Sequence, residues 1–444
     1  MTTRNPQPGH LTGLSLLSRK MRSAVYLVTY RGGRARKRLA NSLQKSMRHY
    51  GIGLKRTRRI SVEKIKNGIR RASNLSRLGF RRVGRIHKPF VRIWKRSRKA
   101  REGRVERRSE RHAERQALAV VRSRKPLVVG PWFSEVGFEV LYWVPFLNWL
   151  KAETHFDPDQ TVIVSRGGVG AWYGNLASHY FDIFDLFDPV TFARRNHERR
   201  QEGDGSHKQL EMSSLDREIV GEVTSRLGFV NPEICHPSLM YRLLRNFWLG
   251  HRSLNHVESY TRHRKITIDS KFDLTELPAE YVAVKLYTAA SLPDSNESRR
   301  LLRALIGRIS SVFPVVTLDT GLNLDDHEDY RFDGQAGVVN LSRWMTPQNN
   351  LGLQTEVISR AKLFVGTCGS LTWLAPLLGV STVAVMSDPR FLHPHLYLAR
   401  KVYLESQAGQ FATIDLRSLE GLGLDSLVAD GVFGDGEAIR TSTS

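Results

Sequence analysis

The residues most able to do chemistry include a run of small ones. Gly366, Thr367, Cys368, Gly369 and Ser370 are consecutive, with Thr372 two positions on. Such a run lets backbone N–H groups at the start of a helix face an anion. Gly369 permits close approach, and the hydroxyls of Thr367, Ser370 and Thr372 add donors. The same composition suits any tight strand-to-helix turn. Neither a GxGxxG nor a GxxxxGK[ST] pattern occurs here, so an ordinary dinucleotide or P-loop site is not expected. A second group is acidic. Glu135 and Glu139 stand four apart in SEVGFE, placed either for proton transfer or as acids that complement a helix N-terminus. Lys285 and Thr288 close YVAVKLYTA, with Arg299 and Arg300 shortly after. These cations could meet a diphosphate, and surface charge explains them equally. Trp172 and Tyr173, after the glycines at 167, 168 and 170, offer faces for sugar stacking or ordinary core packing. His393 and His395 frame an HPH triplet. The nearest acid, Asp388, is at no recognised ligand spacing, so no metal site is expected.

These groups need elements to hold them. LVVG at 127–130, TVIVSR at 161–166, YVAVKLYTA at 281–289, VFPVVTLDT at 312–320, GVVNLS at 337–342, LFVGT at 363–367 and STVAVMS at 381–387 read as short buried strands. KVYLES and ATIDL read as two more. FDIFDLF at 181–187 fits either a strand or a short helix. Helical spacing appears in Val140–Leu150, Leu215–Leu227, Pro237–Gly250, Leu351–Ala361 and Leu371–Leu378. Pro145 should kink the first of these or limit its first turns. Asn196–Ser214 reads as a polar surface loop and 250–268 as a connector. Alternating strands and helices on both sides of that connector imply two parallel sheets facing a cleft. Loops after the strands would then open into the crevice.

Charge is unevenly spread. Of 68 Lys and Arg, 38 fall in residues 1–125, with only 5 of the 43 acids; the remainder is mildly acidic. Within this segment Val62, Ile65, Ile69, Leu75, Leu78, Val83 and Ile86 recur at roughly helical spacing among Lys and Arg, and Phe80, Phe90 and Trp94 add aromatic anchors. The pattern suits an amphipathic basic region on an anionic membrane surface. Nucleic-acid binding and a solvated extension are the alternatives. Glu102, Glu106, Glu110 and Glu114 predict a solvent-exposed helix with i,i+4 ion pairs. Only Cys235 and Cys368 occur, so a disulfide framework is not expected. No apolar run is long enough to span a bilayer, and Arg19, Lys20 and Arg22 break any signal-like stretch. A cytoplasmic protein peripheral to the membrane is the expectation.

Two motifs in this order resemble the bacterial heptosyltransferases, glycosyltransferases of the GT-B fold. The family's first motif has an Asp with a Pro six positions later; here Glu139 precedes Pro145 at that interval, with Phe138 inserted after Gly137. Its second reads roughly VGxDTGLSHLxxAL, against VGTCGSLTWLAPLL. Cys368 stands for the Asp, Ser370 for a Gly, Thr372 for a Ser and Trp373 for the His. The resemblance implies a basic N-terminal region (1–125), an acceptor-side Rossmann-like domain (126–262), a nucleotide-sugar-side one (263–420) and a tail (421–444). It implies an inverting, metal-independent glycosyltransferase acting on a glycan or glycolipid in cell-surface polysaccharide synthesis, with a nucleotide sugar as substrate and no cofactor. Glu139 would be the general base and Glu135 its reserve. Lys285, Thr288, Thr367, Cys368, Gly369, Ser370 and Thr372 would hold the donor, and Arg166, Trp172 and Tyr173 the acceptor. The departures at Cys368 and Trp373 imply a specificity different from the family's. A nucleic-acid-binding protein and a GT-B-like sugar-nucleotide epimerase are the competing readings.

Overall fold

The computed structural model describes residues 107–154, 156–203, 207–322, 327–390, 392–405 and 408–421. The basic segment upstream of residue 107, with Glu102 and Glu106, lies outside the described residues, as does the tail from 422.

Two parallel sheets form the frame, as alternating strands and helices require. The first holds β1 (Leu127–Val129), β2 (Thr161–Ser165), β3 (His179–Asp182) and β4 (Glu233–Cys235) in the order β3-β2-β1-β4. The second holds β5 (Val282–Lys285), β6 (Val315–Thr317), β7 (Val338–Asn340), β8 (Leu363–Thr367), β9 (Thr382–Met386) and β10 (Phe411–Asp415) in the order β10-β9-β8-β5-β6-β7. Every neighbouring pair is parallel. Both sheets belong to one compact unit. β1, β2 and β6 are buried along their whole length, which is why they read as unbroken apolar runs rather than alternating ones.

The structure settles or corrects several local readings. FDIFDLF resolves into the end of β3 followed by a 3₁₀ turn at Ile183–Asp185. Asp182 caps it, accepting from the Phe184 amide at 2.9 Å. β4 was not expected; three residues of mixed polarity carry almost no period. KVYLE, the described part of the expected strand KVYLES, is the last part of helix His393–Glu405. Asn196–Glu202 belongs to helix Pro189–Glu202, begun by Asp188, whose carboxylate accepts the Val190 and Thr191 amides.

The helix over 107–122 is not a free charged rod. Ala113, Ala117 and Val121 enter the core, and Glu110 is only 5 % exposed. Its carboxylate takes the Asn246 amide at 2.7 Å and two contacts from the Arg252 guanidinium. Burial alone would raise the Glu110 pKa. The Arg252 and Asn246 hydrogen bonds outweigh it and hold the group below 4.5. None of the described helices is long and apolar enough to cross a membrane.

Candidate functional site

A cleft of about 880 Å³ lies beyond the carboxyl ends of strands from both sheets. The loop after β1 contributes Glu135, Val136, Gly137 and Phe138. The turn after β8 contributes Cys368 to Leu371, and Lys285 and Tyr287 come from the end of β5. The acidic loop and the small-residue turn therefore face each other. Their approach is close: a Cβ on Gly137 would lie 3.0 Å from the Ser370 amide nitrogen and 3.0 Å from Trp373 Cδ1. Gly137 is the residue that lets these two backbones meet.

The two acids part company. Glu135 is exposed and lines the cleft; its carbonyl accepts from the Phe138 and Glu139 amides, at 3.1 and 3.2 Å, while its carboxylate has no hydrogen bond or ion pair with the described residues. Glu139 is fully buried and does not line the cleft. One of its oxygens accepts from Ser165 Oγ at 2.7 Å and from Tyr173 Oη at 2.5 Å; the other has no partner among the described residues. Burial raises its pKa to about 7. The reason for its inward turn is local. Val136–Phe138 begins as α-helix, Glu139–Trp143 widens into a π-turn, and α-helix resumes at Val144–Glu153. Pro145 has no N–H to give the carbonyl of Leu141, and its ring crowds that oxygen. The freed Leu141 carbonyl is met instead by His263 Nε2 at 2.9 Å. Burial lowers the His263 pKa to about 4, so the ring is neutral and that nitrogen carries its hydrogen. Glu139, the first residue of the π-turn, points into the core, where Ser165 and Tyr173 hold it.

The residues expected to hold an acceptor are also partly spent. Trp172 and Tyr173 are each 3 % exposed, and the Trp172 indole donates to Thr355 Oγ1 at 3.0 Å. Neither residue lines the cleft; both line a separate, smaller cavity of about 220 Å³ together with Val140, Pro145 and His263. Arg166 does line the cleft, but its guanidinium donates to the carbonyls of Phe133 (2.9 Å) and Ser134 (3.1 Å), fixing the loop that carries Glu135.

In the small-residue turn most donors are used internally. Thr367 Oγ1 accepts from the Tyr287 amide and donates to the Tyr287 carbonyl, both at 2.8 Å. Thr372 Oγ1 accepts from the Gly369 amide at 2.8 Å and donates to the Gly369 carbonyl at 2.6 Å. The Cys368 amide bonds the Val385 carbonyl, and burial pushes its thiol up to about 12, so it is no nucleophile. Ser370 remains. Neither its amide nor its hydroxyl has a partner among the described residues, and its φ of +42° is a conformation non-glycine residues rarely hold. The helix that follows is one α-turn, Leu371–Leu374, passing to 3₁₀ at Ala375–Leu378 where Pro376 intervenes. Its dipole is correspondingly short, and the unbroken helix expected over Leu371–Leu378 is instead an α-turn followed by a 3₁₀ turn.

Of the expected cations, Lys285 lines the cleft but is paired with Asp329, at 2.7 Å, and with the Leu318 carbonyl, at 2.9 Å. Thr288 lies outside the cleft wall and braces the 327–329 segment, its hydroxyl accepting the Glu328 amide at 3.0 Å. Arg299 is in an exposed ion pair with Asp294. Sequence reasoning missed Arg331, Lys208 and Gln354 on the cleft wall, and it weighed His395, also on that wall, only as a metal ligand. Arg331 is exposed and has no hydrogen bond or ion pair with the described residues. The Lys208 ammonium lies 5.0 Å from the Phe138 ring centre and 5.2 Å from that of Trp248. His395 Nδ1 is 2.7 Å from Tyr142 Oη. Gln354 lies in a stretch whose helical spacing was legible, but spacing does not tell a cleft-lining polar residue from a solvent-facing one; Arg331 and Lys208 lie in no periodic stretch.

The chain matches no protein-family model and no curated protein. Among solved structures it shows distant similarity to a glycosyl transferase of family 9 from Veillonella parvula, at 12 % identity and TM-score 0.36, covering 69 % of this chain and 90 % of that one. The ADP-heptose lipopolysaccharide heptosyltransferase II of E. coli is similar at 15 % identity and TM-score 0.36, covering 69 % and 99 %. A UDP-GlcNAc 2-epimerase from Methanocaldococcus jannaschii scores 0.29 at 10 % identity, covering 68 % and 91 %. At these values the likeness is one of outline and says nothing of substrate.

Proposed function

We propose that the protein is a glycosyltransferase that moves a sugar from a nucleotide-sugar donor to a hydroxyl of a glycan or glycolipid. One observation carries the reading: an unpaired, exposed carboxylate, Glu135, shares a two-sheet cleft with the Ser370 turn, whose amide and hydroxyl have no partner among the described residues. In this reading the donor diphosphate rests against Ser370, with Arg331 as counter-charge. Lys285 contributes a weaker field because Asp329 largely cancels it. Glu135 removes the proton of the acceptor hydroxyl as that oxygen attacks the anomeric carbon. The bond from that carbon to the diphosphate oxygen breaks in the same step, the nucleoside diphosphate leaves with the bonding pair, and the configuration inverts. General-base help of this kind is worth about 10²–10⁴-fold. Glu139 holds Ser165 and Tyr173 in this account and does not touch substrate.

A thermal-shift screen of nucleoside diphosphates and nucleotide sugars against the whole chain tests the reading. Ligand at about 100 times its dissociation constant adds about 2.7 kcal/mol. Stabilisation by a nucleotide sugar, with product formed only when acceptor is present, supports transfer. Turnover without acceptor would instead make the protein a hydrolase or epimerase. The charge and aromatic pattern upstream of residue 107 supports docking on an anionic membrane surface near a lipid-borne acceptor; co-sedimentation with anionic but not neutral vesicles tests that part separately.

A further inference from the structure

We infer that Gln354 is a specificity residue for the transferred sugar, accepting a hydrogen bond from one of its hydroxyls. Gln354 lies in helix Asn350–Arg360, is 1 % exposed, and forms part of the cleft wall with Arg166, Asn350 and Leu351. Its Nε2 donates to the Asn350 carbonyl at 2.9 Å. A carbonyl can only accept, so the amide orientation is fixed: nitrogen to the helix backbone, oxygen away from it. That oxygen, Oε1, is buried and has no donor among the described residues.

A buried acceptor left unmet is costly, and a cleft residue that keeps one is suited to a ligand that supplies the donor. The chemistry of that ligand follows from the atom. Phosphate oxygens at neutral pH are acceptors and would be repelled, so the diphosphate is excluded. A hydroxyl fits. The position of Gln354 argues for the sugar over the nucleoside. Its helix begins against the other half of the molecule: a Cβ on Gly167 would lie 2.9 Å from Asn350 Nδ2, and the Gly352 amide donates to the Gly167 carbonyl at 2.8 Å. A group reaching Gln354 lies where the two halves meet, which is where the sugar must sit to pass from one to the other.

The assignment rests on the nucleotide-sugar reading of the cleft, and the test separates the two. Calorimetry would compare UDP, ADP, GDP, CDP and TDP with their hexose conjugates, on the wild-type chain and on Gln354→Leu. The expected result is unchanged affinity for the bare diphosphate and roughly tenfold weaker binding of the conjugate in the variant. Equal loss for both ligands, or loss for neither, overturns the assignment while leaving the cleft a nucleotide site. A wild-type chain that binds none of the ten ligands removes the nucleotide reading and Gln354's role with it. Should Gln354→Leu fail to fold, monodeoxyfluoro nucleotide sugars on the wild-type chain answer the same question. One position should lose about tenfold, and uniform affinity at every position overturns the proposal.

Discussion

Glu139→Gln should make the protein more stable at alkaline pH without improving it at acid pH. Glu139 has no solvent exposure, and burial raises its pKa from 4.5 to about 7. Between those values the folded state holds a proton that the unfolded state has lost. Stability therefore falls as pH rises through that window and stays reduced above it. At 1.36 kcal/mol per pKa unit the loss is about 3 kcal/mol. Glutamine keeps the acceptor that Ser165 and Tyr173 use and carries no charge to desolvate. Asp182 and Asp319, which burial raises to about 6 and about 7, contribute slopes of the same sign and persist in the variant. The readable quantity is the difference between the two proteins. Thermal melts from pH 4 to pH 9 should show the variant gaining several degrees relative to wild type between pH 4.5 and 7, then a constant offset. Parallel curves across the whole range would refute the buried-carboxylate account of Glu139.

Substitutions at two glycines and one ion pair give further tests. Gly137→Val should drive its side chain into Ser370 and Trp373, cost about 1–3 kcal/mol, and depress transfer more than stability loss explains; a Gly137→Ala variant should fall between. Gly352→Ala would place Cβ 2.7 Å from the Gly168 carbonyl oxygen, and both melting temperature and nucleotide-sugar affinity should drop. Glu110→Ala should destabilise by about 3–5 kcal/mol in a urea titration, because Arg252 and Asn246 lose a buried partner. A loss below 0.5 kcal/mol would mean the 107–122 helix is not docked as described.

The frame was legible because its strands are short, apolar and bounded by glycine or proline, and the order of LVVG, TVIVS, VAVK, LFVGT and TVAVM dictates two parallel sheets. The identity of the cleft-facing acid was not. Glu135 and Glu139 are equivalent by spacing on an α-helix. They separate because Glu135 is the extended residue that precedes the helix, whereas Glu139 lies inside it and opens a π-turn, and an i→i+5 turn has no sequence signature beyond the proline that follows it. The turn after β8 was found, but its hydroxyls look alike in sequence. Which of Thr367, Ser370 and Thr372 is spent depends on partners as distant as Tyr287. Trp172 and Tyr173 were open to both stacking and packing, and only their hydrogen bonds to Thr355 and Glu139 show them inside. Glu110 shows the opposite difficulty. A helix rich in Glu and Arg reads as solvated, and its docked face is marked by Ala113, Ala117 and Val121, with Leu118 and Val120 partly buried beside them, too few apolar residues to stand out among the charges.

The most direct test of the central claim is transfer by Glu135→Gln, measured alongside donor affinity with a nucleotide sugar found in the screen. The account predicts donor binding at the wild-type dissociation constant and a rate reduced at least 100-fold, in line with loss of a general base. Wild-type turnover in that variant would contradict it.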